Sequence, residues 1–201
     1  MAIRCVFFDF DGVLRSWDRE VNRLEEDHGI PRGAMWEIAF APENVIAAVR
    51  GEVTDAEWRA DVARQLSEKF PDGDVNGAMH TWNSSTGVLV PEVLAIVLAC
   101  KSKLPVVLMT NATTKLNQDL ESLGIADLFD HVVNASEVGS IKPEPGIYLH
   151  ALKLAGIEPH EAFFTDDLLE NVEAAVQLGY VGHVFETPKG LRTALTKVGV
   201  L

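Results

Sequence analysis

The sequence predicts an α/β fold, a doubly wound parallel sheet with a helical segment inserted after its first strand. Short apolar runs without alternation recur along the chain, and helix patterns closed by glycine lie between them. The first two runs, ending at Asp9 and beginning at Pro105, stand too far apart for a single crossover.

Three runs are strongest: Ile3-Arg4-Cys5-Val6-Phe7-Phe8, Pro105-Val106-Val107-Leu108-Met109 and Ala162-Phe163-Phe164-Thr165. Continuous β-branched and aromatic runs of this length suit strands covered on both faces. His131-Val132-Val133 and Tyr180-Val181-Gly182-His183-Val184-Phe185 are weaker examples. Between them, Pro91 can occupy the first turn of a helix running to about Lys103. Thr113 to Leu123 and Pro145 to Ala155 read as helices closed by Gly124 and Gly156. Leu168 to Leu178 places Leu169, Val172 and Val176 on one face ahead of Gly179. Strands alternating with helices give an α/β sheet.

A β-α-β crossover needs only about 30 residues. The excess after strand one is mostly helical and has no strand signal of comparable strength. Thr54-Asp55-Ala56-Glu57 resembles a capping box opening a helix to about Lys69, and Asp18 to His28 and Glu43 to Arg50 also read as helices. The chain returns through Asn83-Ser84-Ser85-Thr86-Gly87. The expected division is a core of residues 1–16 and 86–201 and an insert of residues 17–85. Trp17, Trp36, Trp58 and Trp82 fall in or beside the insert and read as its packing, with Trp17 able to face a cleft mouth.

The 201 residues suffice for one sizeable core or a core with a small module. A net charge of -13 repels phosphate backbones, so no nucleic-acid partner is expected. A small anion is still acceptable, because a bound divalent cation can make one site positive on a negative protein. Asp9 and Asp11 interrupt the apolar N-terminal run well short of an export signal or membrane span, and no membrane partner is expected. Cys5 and Cys100 could form a disulfide, a metal pair or two buried thiols. With no metal-type spacing they read as buried hydrophobes in a reducing cytoplasm.

Each strong strand ends in polar residues: Asp9-Phe10-Asp11-Gly12, then Thr110-Asn111, then Asp166-Asp167. Singly these are ordinary turn residues. Together they stand where open parallel sheets bind ligands, beyond the carboxyl ends of the strands. Four carboxylates converging there could not all stay ionised unaided. Magnesium resolves this, since it takes oxygen ligands while keeping waters and phosphate oxygens. Lys142, in Ser140-Ile141-Lys142-Pro143, could reach the same rim and neutralise carboxylate or phosphate. The six histidines are scattered, with no HxxxH pair and no Ser-His-Asp order. Arg15, Arg19 and Arg50 read as solvated charges, with contact to a substrate as the alternative.

At these residues the chain resembles the haloacid dehalogenase superfamily. Asp9-Phe10-Asp11-Gly12-Val13 is similar to its first motif, Thr110-Asn111 to its second, Lys142-Pro143 to its third, and Asp166-Asp167 with Glu170-Asn171 to its fourth. The resemblance implies a Rossmann-like doubly wound parallel sheet core with an inserted helical cap. It also implies a Mg2+-dependent phosphohydrolase acting on a small phosphorylated metabolite. Asp9 would attack phosphorus and carry the phosphoryl group; Asp11 would protonate the leaving alcohol and then activate water. Gly12, Thr110, Asn111 and Lys142 would hold phosphoryl oxygens. Asp9, the Asp11 carbonyl and Asp167 would bind the metal, with Asp166 acting through a water or as an alternative ligand.

Two departures stand out. Val13 replaces the commoner Thr, and Leu168-Leu169 replaces a more polar pair, which makes the edge of the site more apolar. Dehalogenases of the superfamily lack the second carboxylate, so Asp11 argues against them. Phosphomutases and phosphotransferases use the same pair with another acceptor. A phospho-acceptor switch resembling receiver domains also combines acids, Thr and Lys, but the acid pair on strand one and the helical insert favour an enzyme.

Overall fold

The computed structural model describes residues 2–17 and 23–201. Among them the strands are β1 (Cys5–Phe8), β2 (Arg15–Ser16), β3 (Val88–Leu89), β4 (Val106–Thr110), β5 (His131–Asn134), β6 (Ala162–Asp166) and β7 (Val181–Val184). Five of these form a sheet in the order β5-β4-β1-β6-β7, every pair parallel. The expected fold class is present.

β1 is central because both its faces are apolar. Its Val6 lies between Val106 and Phe163. Side chains of a strand alternate, so Cys5 and Phe7 enter one buried cluster and Val6 and Phe8 the other. The first cluster is covered by Ile147, Tyr148 and Val172, from helices α9 (Pro145–Ala155) and α10 (Leu169–Gln177). The second is covered by Val93, Ile96, Leu191 and Leu195, from α6 (Pro91–Lys101) and α11 (Pro188–Lys197). Cys5 and Cys100 therefore lie on opposite sides of the sheet, both buried and free. Burial pushes their thiols up to about 12 and about 11, as expected for inert packing groups.

The connection from β1 leads to β4 and β5 on one side, and the chain then crosses back to β6 and β7 on the other. Loops leaving β1 and β6 consequently diverge. That switch point opens a crevice at the carboxyl ends of the strands.

Between β2 and β3, which pair antiparallel, lie α1 (Leu24–Asp27), α2 (Ala34–Ala39), α3 (Pro42–Val49), α4 (Asp55–Lys69) and α5 (Val75–Ser84). These helices bury a separate apolar cluster that includes Leu24, Met35, Trp58, Val62, Leu66 and Trp82. Trp58 and Trp82 meet edge to face with centroids 5.3 Å apart, a favoured aromatic geometry. α4 opens on the expected capping box, Thr54 with Glu57. The helix expected over Asp18 to His28 is described only as α1; residues 18–22, with Arg19, lie outside the described residues. No described helix is long and apolar enough to cross a membrane.

Two further short α-helices are α7 (Leu116–Ser122) and α8 (Ala135–Val138), and a 3-10 turn (Pro159–Glu161) precedes β6. α7 begins later than the expected Thr113, and the reason is tertiary. Thr113 Oγ1 donates to Asp55 Oδ1 at 2.7 Å, and Thr114 Oγ1 accepts from the Asp55 N–H at 2.9 Å. The two threonines hold the first turn of α4 against the loop after β4 instead of starting a helix.

Candidate active site

Asp9 directly follows β1, and its N–H donates to the Thr165 carbonyl at 3.0 Å. This bond continues the β1–β6 pairing and fixes the carboxylate at the switch point, where it is 6% exposed. Lys142, 4% exposed, arrives from the loop after α8. Its Nζ lies 2.7 Å from Asp9 Oδ1 and 2.5 Å from Asp166 Oδ2. Asn111 sets that loop: its Oδ1 accepts from the Lys142 N–H at 2.8 Å, and its Nδ2 donates to the Lys142 carbonyl at 2.9 Å. The Asn111 amide, expected to meet phosphate, is engaged with the lysine backbone.

Asp166 is fully buried. Besides Lys142 it accepts from the Leu168 N–H at 2.9 Å and Asn171 Nδ2 at 3.0 Å. Asp9, Asp166 and Asp167 each place a carboxylate oxygen within 4.8 Å of the others. Gly12 closes the rim in a left-handed conformation, φ +79°, and a Cβ there would lie 2.2 Å from Asp167 Oδ2. A cleft of about 250 Å³ is lined by Asp9, Asp11, Gly12, Thr110, Asn111, Lys142 and Asp167. Of the residues expected to hold phosphate or metal or to do the chemistry, Asp166 alone is not in this lining and lies beneath it.

Of the four carboxylates expected to converge, Asp9, Asp166 and Asp167 form the tight group, while Asp11 lines the same cleft with its side chain turned to Arg15 and Trp17. Asp11 accepts from Arg15 Nε at 2.7 Å, Arg15 Nη2 at 2.8 Å and Trp17 Nε1 at 3.1 Å. Arg15 itself is 4% exposed, so the solvated charge expected there is in fact buried. Its Nη1 donates to Asp119 Oδ2 at 2.8 Å, and its guanidinium lies 4.1 Å from the Phe10 ring centroid. Lys115 also pairs with Asp119.

Burial pushes the Asp9 carboxyl up to about 7, with Lys142 opposing and Asp166 adding to the rise. Asp167 is raised by burial and by Asp166. Burial pulls the Lys142 ammonium down, but Asp9 and Asp166 outweigh it and hold the group above its ordinary value. Three carboxylates around one ammonium leave the cluster short of positive charge. Its donors are hard oxygens, so a magnesium ion fits the residues present.

Comparison with known proteins assigns this arrangement to a family. Residues 3–179 match the description "Hydrolase: haloacid dehalogenase-like hydrolase". The chain belongs to this family. Among relatives of this haloacid dehalogenase-like hydrolase, bifunctional epoxide hydrolase 2 of Mus musculus is 26% identical over 199 residues. The match covers 90% of this chain but 36% of the relative, so the chain spans about a third of that protein's length. Sesquiterpene phosphatase astK of Aspergillus oryzae is 27% identical over 90% of this chain and 89% of its own. A family enzyme of Bacteroides thetaiotaomicron, solved with magnesium and inorganic phosphate, superposes with TM-score 0.73 at 23% identity. That superposition covers 92% of this chain and 95% of the other, and shows the shared fold.

The sequence reading missed the pairing of Arg15 with Asp11 and Asp119. The i,i+4 spacing of Asp11 and Arg15 was a signal for half of it. Asp119 lies 104 positions away, and no local pattern announces that contact.

Proposed function

We propose that the chain is a magnesium-dependent phosphohydrolase that cleaves small phosphate monoesters through a phosphoryl group carried on Asp9. One observation supports this above others: two acids of the first motif stand in opposite environments. Asp9 is buried against Lys142, while Asp11 is half-exposed and held by Arg15. Paired acids with different surroundings are how one site runs nucleophilic and acid–base steps.

In this reading Asp9 attacks phosphorus, the bond to the leaving oxygen breaks, and Asp11 gives that oxygen a proton. Both Asp11 oxygens accept from Arg15 and Trp17 here, so the acid step requires the carboxyl to turn toward the leaving group. Asp11 then takes a proton from the water that displaces phosphate from Asp9. Lys142 and Thr110 stabilise charge on the phosphoryl oxygens. Asp9, Asp167 and the Asp11 backbone would hold magnesium, Asp166 would support them, and the ion would offset phosphoryl charge and favour ionised Asp9. Residues 17–85 act as a cap on a core of residues 1–16 and 86–201. The sesquiterpene phosphatase among the relatives supports the reaction class.

Release of phosphate from an aryl phosphate should fall about 10²–10³-fold under chelation, the scale of several kcal/mol of charge stabilisation, and return with magnesium. Full activity after verified metal removal overturns the proposal. Gly12→Ala should raise the magnesium concentration needed for half-maximal rate about tenfold or more. The added Cβ must displace Asp167, and the left-handed backbone costs about 1–2 kcal/mol more, visible as a lower Tm. An unchanged magnesium requirement would separate Gly12 from the metal site.

A further inference from the structure

A second cavity adjoins the phosphoryl cleft and shares Asp11 and Asn111 with it. It lies where the inserted helices meet the loop after β4, and has room for about 100 Å³. Trp36, Phe40, Val45, Trp58, Trp82 and Leu116 provide its apolar wall. Trp36 and Phe40 stack with centroids 5.4 Å apart. Phe40 is 53% exposed, an aromatic face that the packing of the insert leaves open.

The charges bordering this cavity are already matched. Arg15 is paired with Asp11 at 2.7 Å and Asp119 at 2.8 Å. Arg59 is paired with Asp55 at 2.7 Å, and Lys115 with Asp119. Asp55 is further engaged by Thr113, and the Asn111 amide by the Lys142 backbone. Among the described residues, therefore, the cavity presents three cations against three carboxylates, and when Asp11 turns to the leaving group Arg15 still keeps Asp119 as its partner. An anionic group entering it would lose water without gaining a partner, which is costly. A sugar's hydroxyls would find the bordering polar side chains already engaged with one another. A flat or branched hydrocarbon fits, since cavities of this order that are lined by apolar side chains accept a single aromatic ring.

We infer that this cavity receives the leaving group, and that the preferred substrates are phosphate monoesters of neutral, apolar alcohols about the size of one aromatic ring. The inference rests on the phosphohydrolase reading above. Asp11 links the two spaces: an acid that protonates the leaving oxygen has that oxygen beside it, and the attached carbon skeleton extends past Trp17 and Phe40.

The test uses the full chain with magnesium and compares kcat/KM for benzyl phosphate, 2-phosphoglycolate and glucose 6-phosphate. Their leaving alcohols all need protonation, so the comparison reads the cavity more than the chemistry. Benzyl phosphate should exceed each of the others by about 100-fold, the discrimination expected when a polar or charged group is left unpaired. Phe40→Ala changes a half-exposed residue and should fold. It should lower the ratio of benzyl phosphate to acetyl phosphate kcat/KM about tenfold, the scale of lost apolar contact. Acetyl phosphate serves as the control because its leaving group needs neither proton nor cavity. If acetyl phosphate is hydrolysed while phosphoglycolate or glucose 6-phosphate matches benzyl phosphate, or if Phe40→Ala leaves the ratio unchanged, this inference fails alone. If acetyl phosphate and all three esters are inert, the phosphohydrolase reading fails and takes this inference with it.

Discussion

Asp9→Asn is expected to lower turnover by about 10⁴–10⁶-fold, the scale on which loss of a nucleophile is felt. The amide nearly preserves the shape of the carboxylate but is a poor nucleophile. Lys142 loses one partner and keeps Asp166 at 2.5 Å, so its buried ammonium is not orphaned and folding should persist. The stability of the metal-free protein provides an independent check. Burial raises Asp9 from an ordinary 3.8 to about 7, so between those values the folded chain holds a proton that the unfolded chain has released. Stability linked to this group therefore falls as pH rises from about 4 to 7. The Asn variant lacks this slope, and its Tm relative to wild type should improve between pH 4 and pH 8 with chelator present. Mass spectrometry of a quenched reaction should place the phosphoryl adduct on Asp9; an adduct elsewhere refutes the assignment.

What could be read from the sequence follows from how local each feature is. β1, β4 and β6 are buried on both faces, so their composition alone announced them, and their polar ends marked the candidate site that they line together. Helices with local stops were equally plain, as with Gly156 after α9 and the capping box of α4. Features set by distant partners were not. The start of α7 is decided by Asp55 of the insert. α2 has no side-chain cap, and α5 carries Gly77 within it, so neither stood out. Asp11 was legible as a strand-end residue and lines the cleft, but its orientation depends on Arg15 and, through Arg15, on Asp119. Asn111 was legible as a strand-end residue, whereas its engagement with Lys142 depends on a loop 31 positions away.

Asp11→Asn separates a phosphatase from a dehalogenase, because an alkoxide leaving group gains much from protonation and a halide needs none. The substitution removes the proposed proton donor while leaving Asp9, Lys142, Asp166 and Asp167 in place. Arg15 keeps Asp119 at 2.8 Å, so its buried guanidinium retains a carboxylate and the fold should hold. Activity on alkyl phosphates should fall about 10²–10⁴-fold, the usual scale of general acid–base catalysis. Esters of acidic phenols should lose less in the first step, since their departure requires little proton transfer. Breakdown of the phosphoryl-Asp9 intermediate should slow for every substrate, because in the proposed mechanism Asp11 also activates water, and steady-state turnover would mask the difference. The informative measurement is a single-turnover burst of leaving group, compared for wild type and Asp11→Asn across leaving-group pKa. The logarithm of the wild-type to variant rate ratio should rise with that pKa. A flat ratio would remove Asp11 as the acid, and chloride release from a 2-haloacid by the wild-type protein would favour dehalogenase chemistry at Asp9.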